Sequence, residues 1–333
     1  MAISINRGKL IVTTSEIIGY KAGLGLTREE FADIMPKEHH RIWFGSDEDG
    51  IRIYPEEYEE LISDLLNLLG NTESDSPSSS IIFTAVLRHK YGINSIEAEL
   101  MSDIVPLFYN FLEKADKIFD PTPFINEARI KYGIIGEKVA IDLLKGFNNH
   151  MHKSPWTTYR EMNWVDTAQL KDLFISERLE THYGTFLDQR YIDYLSVNFD
   201  KINNMNWRKF EGLTAEFFER QGYFVEIGAG RGDGGIDIRV WQEDPSLAGP
   251  PTILIQCKRY KKTIEQVIVK ALYADMVSEN VPHGLIVTTS SLSPSAKEVC
   301  NARSYPIQEV NKTTLRKWIE VMRKPHSGIF LGK

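Results

Sequence analysis

GGIDIRVWQEDPSLAGPPTILIQCKRYKK, residues 234–262, holds two short apolar runs around a polar, proline-rich loop. The runs at 236–241 and 252–257 are rich in Ile, Leu and Val and bounded by Gly and Pro, so both read as strands. On a strand, residues two apart share a face. Gln256 and Lys258 therefore point one way, and Cys257 points into the opposite layer. If the two strands pair, Asp237 meets Gln256 and Lys258. A carboxylate, an amide oxygen and an ammonium then converge on a stiff sheet rather than on a mobile loop.

The residues around this pair keep a regular rhythm. A helix is expected over 207–221 and a strand over 223–227, followed by the loop GAGRGDGG (228–235). After the second strand come a helix at 263–279, a strand at 284–288 and a helix at 293–303. Ser293 is its N-cap and Pro294 its first residue. A strand at 306–310 and a helix at 313–322 close the chain. Helix, antiparallel strands, then strand–helix–strand predicts an α/β fold: an αβ sandwich around a mixed central sheet.

The convergent residue types suit one chemistry. Hydrolysis of a phosphodiester needs a cation on the phosphate, a water held in line, and a group that favours its deprotonation. Magnesium takes hard oxygen ligands and keeps several waters, so one or two carboxylates suffice. Asp237 with the amide of Gln256 offers such ligands, and Lys258 offers the positive charge. Other catalytic signatures are missing. GAGRGDGG lacks the Gly-Lys-Ser/Thr of a phosphate-binding loop, and neither HExxH nor GxSxG occurs. His39-His40 and His150/His152 stand without a Cys or carboxylate pattern and read as surface or core histidines.

GDGGIDI (232–238) followed by IQCKRY (255–260) resembles the Mrr-type restriction endonuclease catalytic domain of the PD-(D/E)xK nuclease superfamily. FEGLTAEFFERQGYFVE (210–226) is similar to the family's first helix and strand, and GLIVTTSSLSPSAKE (284–298) to its later strand and helix. The resemblance spans about Trp207 to Trp318. It implies that Asp237 is the main metal ligand and that Gln256 fills the second acidic position. Lys258 would position the attacking water. Glu211 matches the first-helix acid and would help bind the metal. Glu216 is a weaker match for the same role, and Asp233 would shape the loop. The implied cofactor is Mg2+, with Mn2+ as a substitute. Gln256 departs from the superfamily's acidic consensus, which removes one negative charge, but a Gln here is typical of the Mrr-type group.

The rest of the chain has another character. Residues 201–333 carry 19 Lys+Arg and 14 Asp+Glu, a balance of +5, whereas 1–200 carry 20 and 32, a balance of −12. A basic domain collects phosphates; an acidic one repels them. DNA is therefore expected on the C-terminal part, with Arg231, Arg259, Lys261 and Lys262 touching backbone phosphates. The polar stretch NTESDSPSSS (71–80) reads as a linker. It separates a small mixed or helical domain (1–72) from a mainly helical region (81–200) and the nuclease-like domain (201–333). In the first, RIWFGSDEDGIRIYP (41–55) reads as two strands around an acidic turn, and EEYEELISDLLNLLG (56–70) as an amphipathic helix stopped by Gly70. In the second, Pro106 should kink or split a long helix, and another helix is expected from Asn126 to about Lys145. The aromatic-rich stretch 155–198 reads as core or interface.

Two isolated cysteines exclude a disulfide framework and a four-thiolate zinc site and fit a reducing, cytoplasmic setting. No apolar run of membrane-spanning length occurs, and MAISINRGKL lacks a signal-peptide apolar core. The resulting expectation is a Mg2+-dependent deoxyribonuclease acting in restriction or antiphage defence. Residues 1–200 are expected to mediate oligomerisation, autoinhibition or docking of a protein partner, and a homodimer or larger assembly would supply two sites for two strands. The alternatives are a structure-specific or RNA-directed nuclease, served by the same residues, and a DNA-binding assembly subunit without chemistry.

Overall fold

Asn6 ends the first strand and caps the first helix. Its side chain accepts from Lys9 N at 3.1 Å, which starts the helix Arg7–Ala22. The computed structural model describes residues 2–72, 80–114, 119–230 and 235–323. Their contacts divide into two units, one within residues 1–167 and one within residues 168–324. Residues 73–79 of the expected linker lie outside the described residues, as do Arg231 and Asp233.

In the first unit, Ile3–Asn6 pairs antiparallel with Gly50–Ile53, Ile3 opposite Ile53 and Ile5 opposite Ile51. This corrects the expected local pair of strands within 41–55. His40–Trp43 is a single helical turn. Ile42 and Trp43 are adjacent yet both buried, which an alternating strand does not allow. The strand that follows finds its partner at the N-terminus instead. The amphipathic helix is present as Pro55–Leu68, and Gly70 beyond it takes φ +74.

Three further helices, Ser80–Tyr91, Ile96–Glu113 and Thr122–Lys153, gather around Phe108, Phe124 and Leu143. Pro106 does not split its helix, Ile96–Glu113, which continues through it at the cost of one backbone hydrogen bond. The break falls in the next helix, at Gly133 with φ +67 and ψ −157. Only glycine enters that conformation at little cost.

The second unit carries the mixed sheet. Its principal elements include helix α1 (Gln189–Val197), helix α2 (Trp207–Arg220), strands β1 (Phe224–Ile227), β2 (Ile238–Trp241) and β3 (Ile253–Lys258), helix α3 (Gln266–Ser278), strand β4 (His283–Thr288), helix α4 (Pro294–Ala302), strand β5 (Ile307–Val310) and helix α5 (Lys312–Met322). The strands lie in sequence order. β1, β2 and β3 are antiparallel, and β3, β4 and β5 are parallel. This is the α/β fold with a mixed central sheet, preceded by a mainly helical region. Ser293 caps α4 through Ala296 N at 3.2 Å, with Pro294 opening the helix.

Alternation on β3 assigns the two layers. Leu254 joins Leu272, Met276 and Ile286 in the core under α3 and α4. Cys257, of opposite parity, meets Thr214 of α2, its Sγ 3.6 Å from the hydroxyl. α5 completes the α2 layer, where Trp318 stacks on Phe217 at 4.0 Å and 6°.

Candidate active site

The C-terminal end of β3 and the residue ahead of β2 meet at Asp237. It lies one position before the strand, but its backbone is held on both sides. Its amide donates to Ile255 O at 3.1 Å, and its carbonyl accepts from Gly228 N at 2.8 Å. With Ile238 opposite Ile255, the side chain falls beside the Gln256–Cys257 peptide of β3. There Oδ2 accepts from the Cys257 amide at 2.6 Å and lies 3.8 Å from Lys258 Nζ. Asp237 is 7% exposed, so both interactions act away from bulk water.

Gln256 is equally buried. Its Nε2 donates to Gly235 O at 2.8 Å. That bond fixes which end of the amide is nitrogen, because a carbonyl needs a donor. Among the described residues, Oε1 is then left buried with no hydrogen-bond partner. An unmet buried acceptor costs about 1–3 kcal/mol, so it marks a place where a ligand is expected. Gly235 has φ +98 and lies against this amide; a Cβ there would be 3.4 Å from Nε2.

Glu211 enters from α2. It is 4% exposed, and its Oε2 accepts from Arg208 Nη1 at 2.7 Å. One helical turn later Thr214 covers the Cys257 thiol. That thiol is pushed well above its usual range by burial first, then by the Asp237 charge, with Glu211 also raising it and Lys258 opposing. Asp237, Glu211 and Lys258 therefore all act on the neighbourhood of one buried sulfur.

Glu216 has a different place. Its Oε2 accepts from the backbone amides of Thr185, Phe186 and Leu187 at 2.9, 2.7 and 3.2 Å, and Oε1 accepts from Arg220 Nε at 2.7 Å. Four donors already occupy it, so it anchors a loop rather than presenting a ligand. Arg259 is half-buried, and its Nη1 donates to Asn203 O at 2.8 Å. Lys261 and Lys262 are exposed.

Arg208 was not singled out from the sequence. Its signal was an arginine three residues before an acid on a helix, a spacing that brings the two side chains together. The histidines set aside above also acquire a partner that the sequence did not reveal. His39 Nε2 lies 2.7 Å from Asp64 Oδ2, and with Glu38 they are the group of potential ligands found within 4.8 Å among the described residues. At 2.7 Å the two atoms are hydrogen-bonded to each other.

By their chemistry, Asp237, Glu211 and Gln256 suit a hard divalent cation. Two buried carboxylates and an orphaned amide oxygen are oxygen ligands, and no thiolate competes, because the Cys257 thiol is held protonated. Residues 202–319 match the restriction endonuclease family Mrr_cat. The matched segment begins just before α2 and ends within α5, so it includes all five strands and every candidate named above from Arg208 to Lys262. No curated protein matches the chain. Among solved structures, "MspJI Restriction Endonuclease in Complex with 27-mer Oligonucleotide" is similar at 16% identity with a TM-score of 0.27. That similarity covers 54% of this chain and 40% of that one. A likeness this distant carries no argument about function. No helix among the described residues is long and apolar enough to cross a membrane.

Proposed function

We propose that the Mrr_cat-like unit is a divalent-metal-dependent endonuclease that hydrolyses DNA phosphodiesters in restriction or antiphage defence. The observation that carries the reading is the orphaned Oε1 of Gln256 in a site that also holds Asp237 and Lys258. Asp237, Glu211 and the Gln256 oxygen would hold Mg2+ or Mn2+. When bound, such an ion neutralises phosphate charge and lowers the pKa of a coordinated water.

The protein's own groups do the rest. The Cys257 amide fixes the rotamer of Asp237. Lys258, 3.8 Å from Asp237, would offer its ammonium to the attacking water and to the negative charge that the phosphate gains. Arg208 compensates Glu211 within the buried layer. Lys261 and Lys262 follow the site on the exposed side and neutralise backbone phosphates without reading sequence. The acidic N-terminal region is assigned to assembly or control, and a homodimer would present one site to each strand.

Plasmid cleavage with Mg2+ or Mn2+ tests the reading, comparing the native chain with Asp237→Ala and Lys258→Ala. Loss of cleavage in both variants, and on chelation of the metal, is expected. Equal cleavage by all three proteins refutes the site. A parallel panel of duplex, branched and single-stranded DNA and of RNA decides the substrate.

A further inference from the structure

Away from the motif, positive charge gathers at a place where the fold gives it no counter-ion. Helix α5 opens with Lys312 and carries Arg316 one turn later, with no acidic residue in its first turn. The N-terminal end of a helix is already partly positive, so cations there are unfavourable unless an anion is supplied. Among the described residues neither side chain is in an ion pair.

Both instead stand over one ring. Arg316 Cζ is 4.3 Å and Lys312 Nζ 5.8 Å from the centroid of Phe199. Phe199 is 3% exposed, so it forms a fixed floor for the two cations. The ring belongs to the helical turn Phe199–Asn204. That turn is fastened at Asn203 to Arg259, the residue after Lys258. At a rise of about 2 Å per residue, Phe199 and Asn203 are on the order of 8 Å apart along the turn. One strand of duplex DNA advances about 3.4 Å per nucleotide, so the pair is displaced from the end of β3 by a few nucleotides.

We infer that Lys312 and Arg316 form a second phosphate-contact site, which grips the DNA backbone a few nucleotides from the scissile bond. The inference rests on the DNA-nuclease reading for its ligand. It adds the place where the strand is held once it leaves the catalytic residues. The aromatic floor keeps both cations extended and ordered, so little side-chain freedom is lost on binding.

The test uses the full chain with chelator present, so that binding is read without cleavage. Affinity for a fluorescent duplex is measured by anisotropy across a KCl series. Each phosphate contact contributes about 0.9 to the slope of log affinity against log salt. The double variant Lys312→Gln/Arg316→Gln should lower the slope by about 1.8 and weaken binding about ten-fold or more near 0.1 M salt. Arg316→Lys should retain most of the slope, and Lys317→Gln, off the ring, should leave it unchanged. With metal restored, the single-turnover rate at saturating DNA should stay within about two-fold of the native rate, because these contacts position rather than react. If the double variant loses its cooperative melt, Lys312→Gln alone reads half the slope change. A native chain that binds duplex, with a folded double variant of unchanged slope and affinity, overturns this inference alone. A native chain that binds no duplex at low salt overturns it together with the proposed function.

Discussion

Asp237 Oδ2 accepts a hydrogen bond from the backbone amide of Cys257 at 2.6 Å, so the same carboxylate serves the fold and the candidate chemistry. Two substitutions separate these roles. Asp237→Asn keeps an oxygen for the Cys257 amide but removes the charge. It should melt within a few degrees of the native chain and lose cleavage by about 100-fold or more, the scale of removing a stabilising electrostatic group. Asp237→Ala should lose cleavage and also about 1–3 kcal/mol of stability, because a buried amide is left unpaired. Thermal melts beside cleavage assays read the difference. An Asn variant with native activity removes Asp237 from the chemistry.

The orphaned oxygen of Gln256 predicts a trade between metal affinity and stability. Gln256→Glu places a full charge where Oε1 lies, so the metal concentration for half-maximal cleavage should fall. The same change replaces the Nε2 donor, leaving an oxygen against the Gly235 carbonyl 2.8 Å away. The metal-free protein should therefore lose about 1–3 kcal/mol. Metal titration and denaturant melts test the two halves independently. Unchanged metal dependence shows that the oxygen is not a ligand.

Glu211 and Glu216 share a helix but should behave in opposite ways. Glu216→Ala leaves three backbone amides without their acceptor and takes the carboxylate partner from the Arg220 guanidinium, and should cost about 3 kcal/mol or more. Its folded fraction should cleave at the native rate. Glu211→Gln, which keeps an acceptor for Arg208, should fold and lose metal-dependent cleavage. The comparison is specific activity per folded molecule. Native activity in the Glu211 variant excludes it from the metal site.

Lys21 makes the stability of the N-terminal unit depend on alkaline pH. Its ammonium is buried, donating to Tyr159 O at 2.9 Å and Met151 O at 3.4 Å, and burial lowers its pKa from 10.5 to about 8. The folded state thus releases the proton more readily than the unfolded state. The stability contributed by the neutral amine is complete above pH 10.5 and is lost as pH falls to about 8. Relative to Lys21→Met, the native chain should gain at most about 3.5 kcal/mol as pH rises across that window, at about 1.4 kcal/mol per unit. Paired denaturant melts at the two ends of the window measure it. A constant difference between the two proteins refutes the shift.

Much of the nuclease-like unit was legible from local rules. Alternation on β3, the punctuation by Gly and Pro, and the Ser293-Pro294 start of α4 each place an element from a few neighbouring residues. The N-terminal unit was less legible because its decisive contacts are distant in sequence. Gly50–Ile53 looks like half of a local hairpin, but its partner is Ile3–Asn6. Ile42 and Trp43 look like strand residues, but burial of both favours a helical turn. Pro106 does not split its helix, whereas Gly133 interrupts the next one with φ +67, a conformation open to glycine that its sequence neighbours do not announce.

For the candidate site, the sequence determined the chemical types and their strand parity: Asp237, then Gln256 and Lys258 two residues apart, with Glu211 upstream. Tertiary structure decided what each side chain touches. It placed Asp237 on the Cys257 amide, Arg208 on Glu211, four donors around Glu216 and, among the described residues, no donor on Gln256 Oε1. Strand parity follows from backbone geometry, which every residue carries with it. The partner of a buried polar atom depends on which distant segment arrives beside it, and that is settled only when the layers pack.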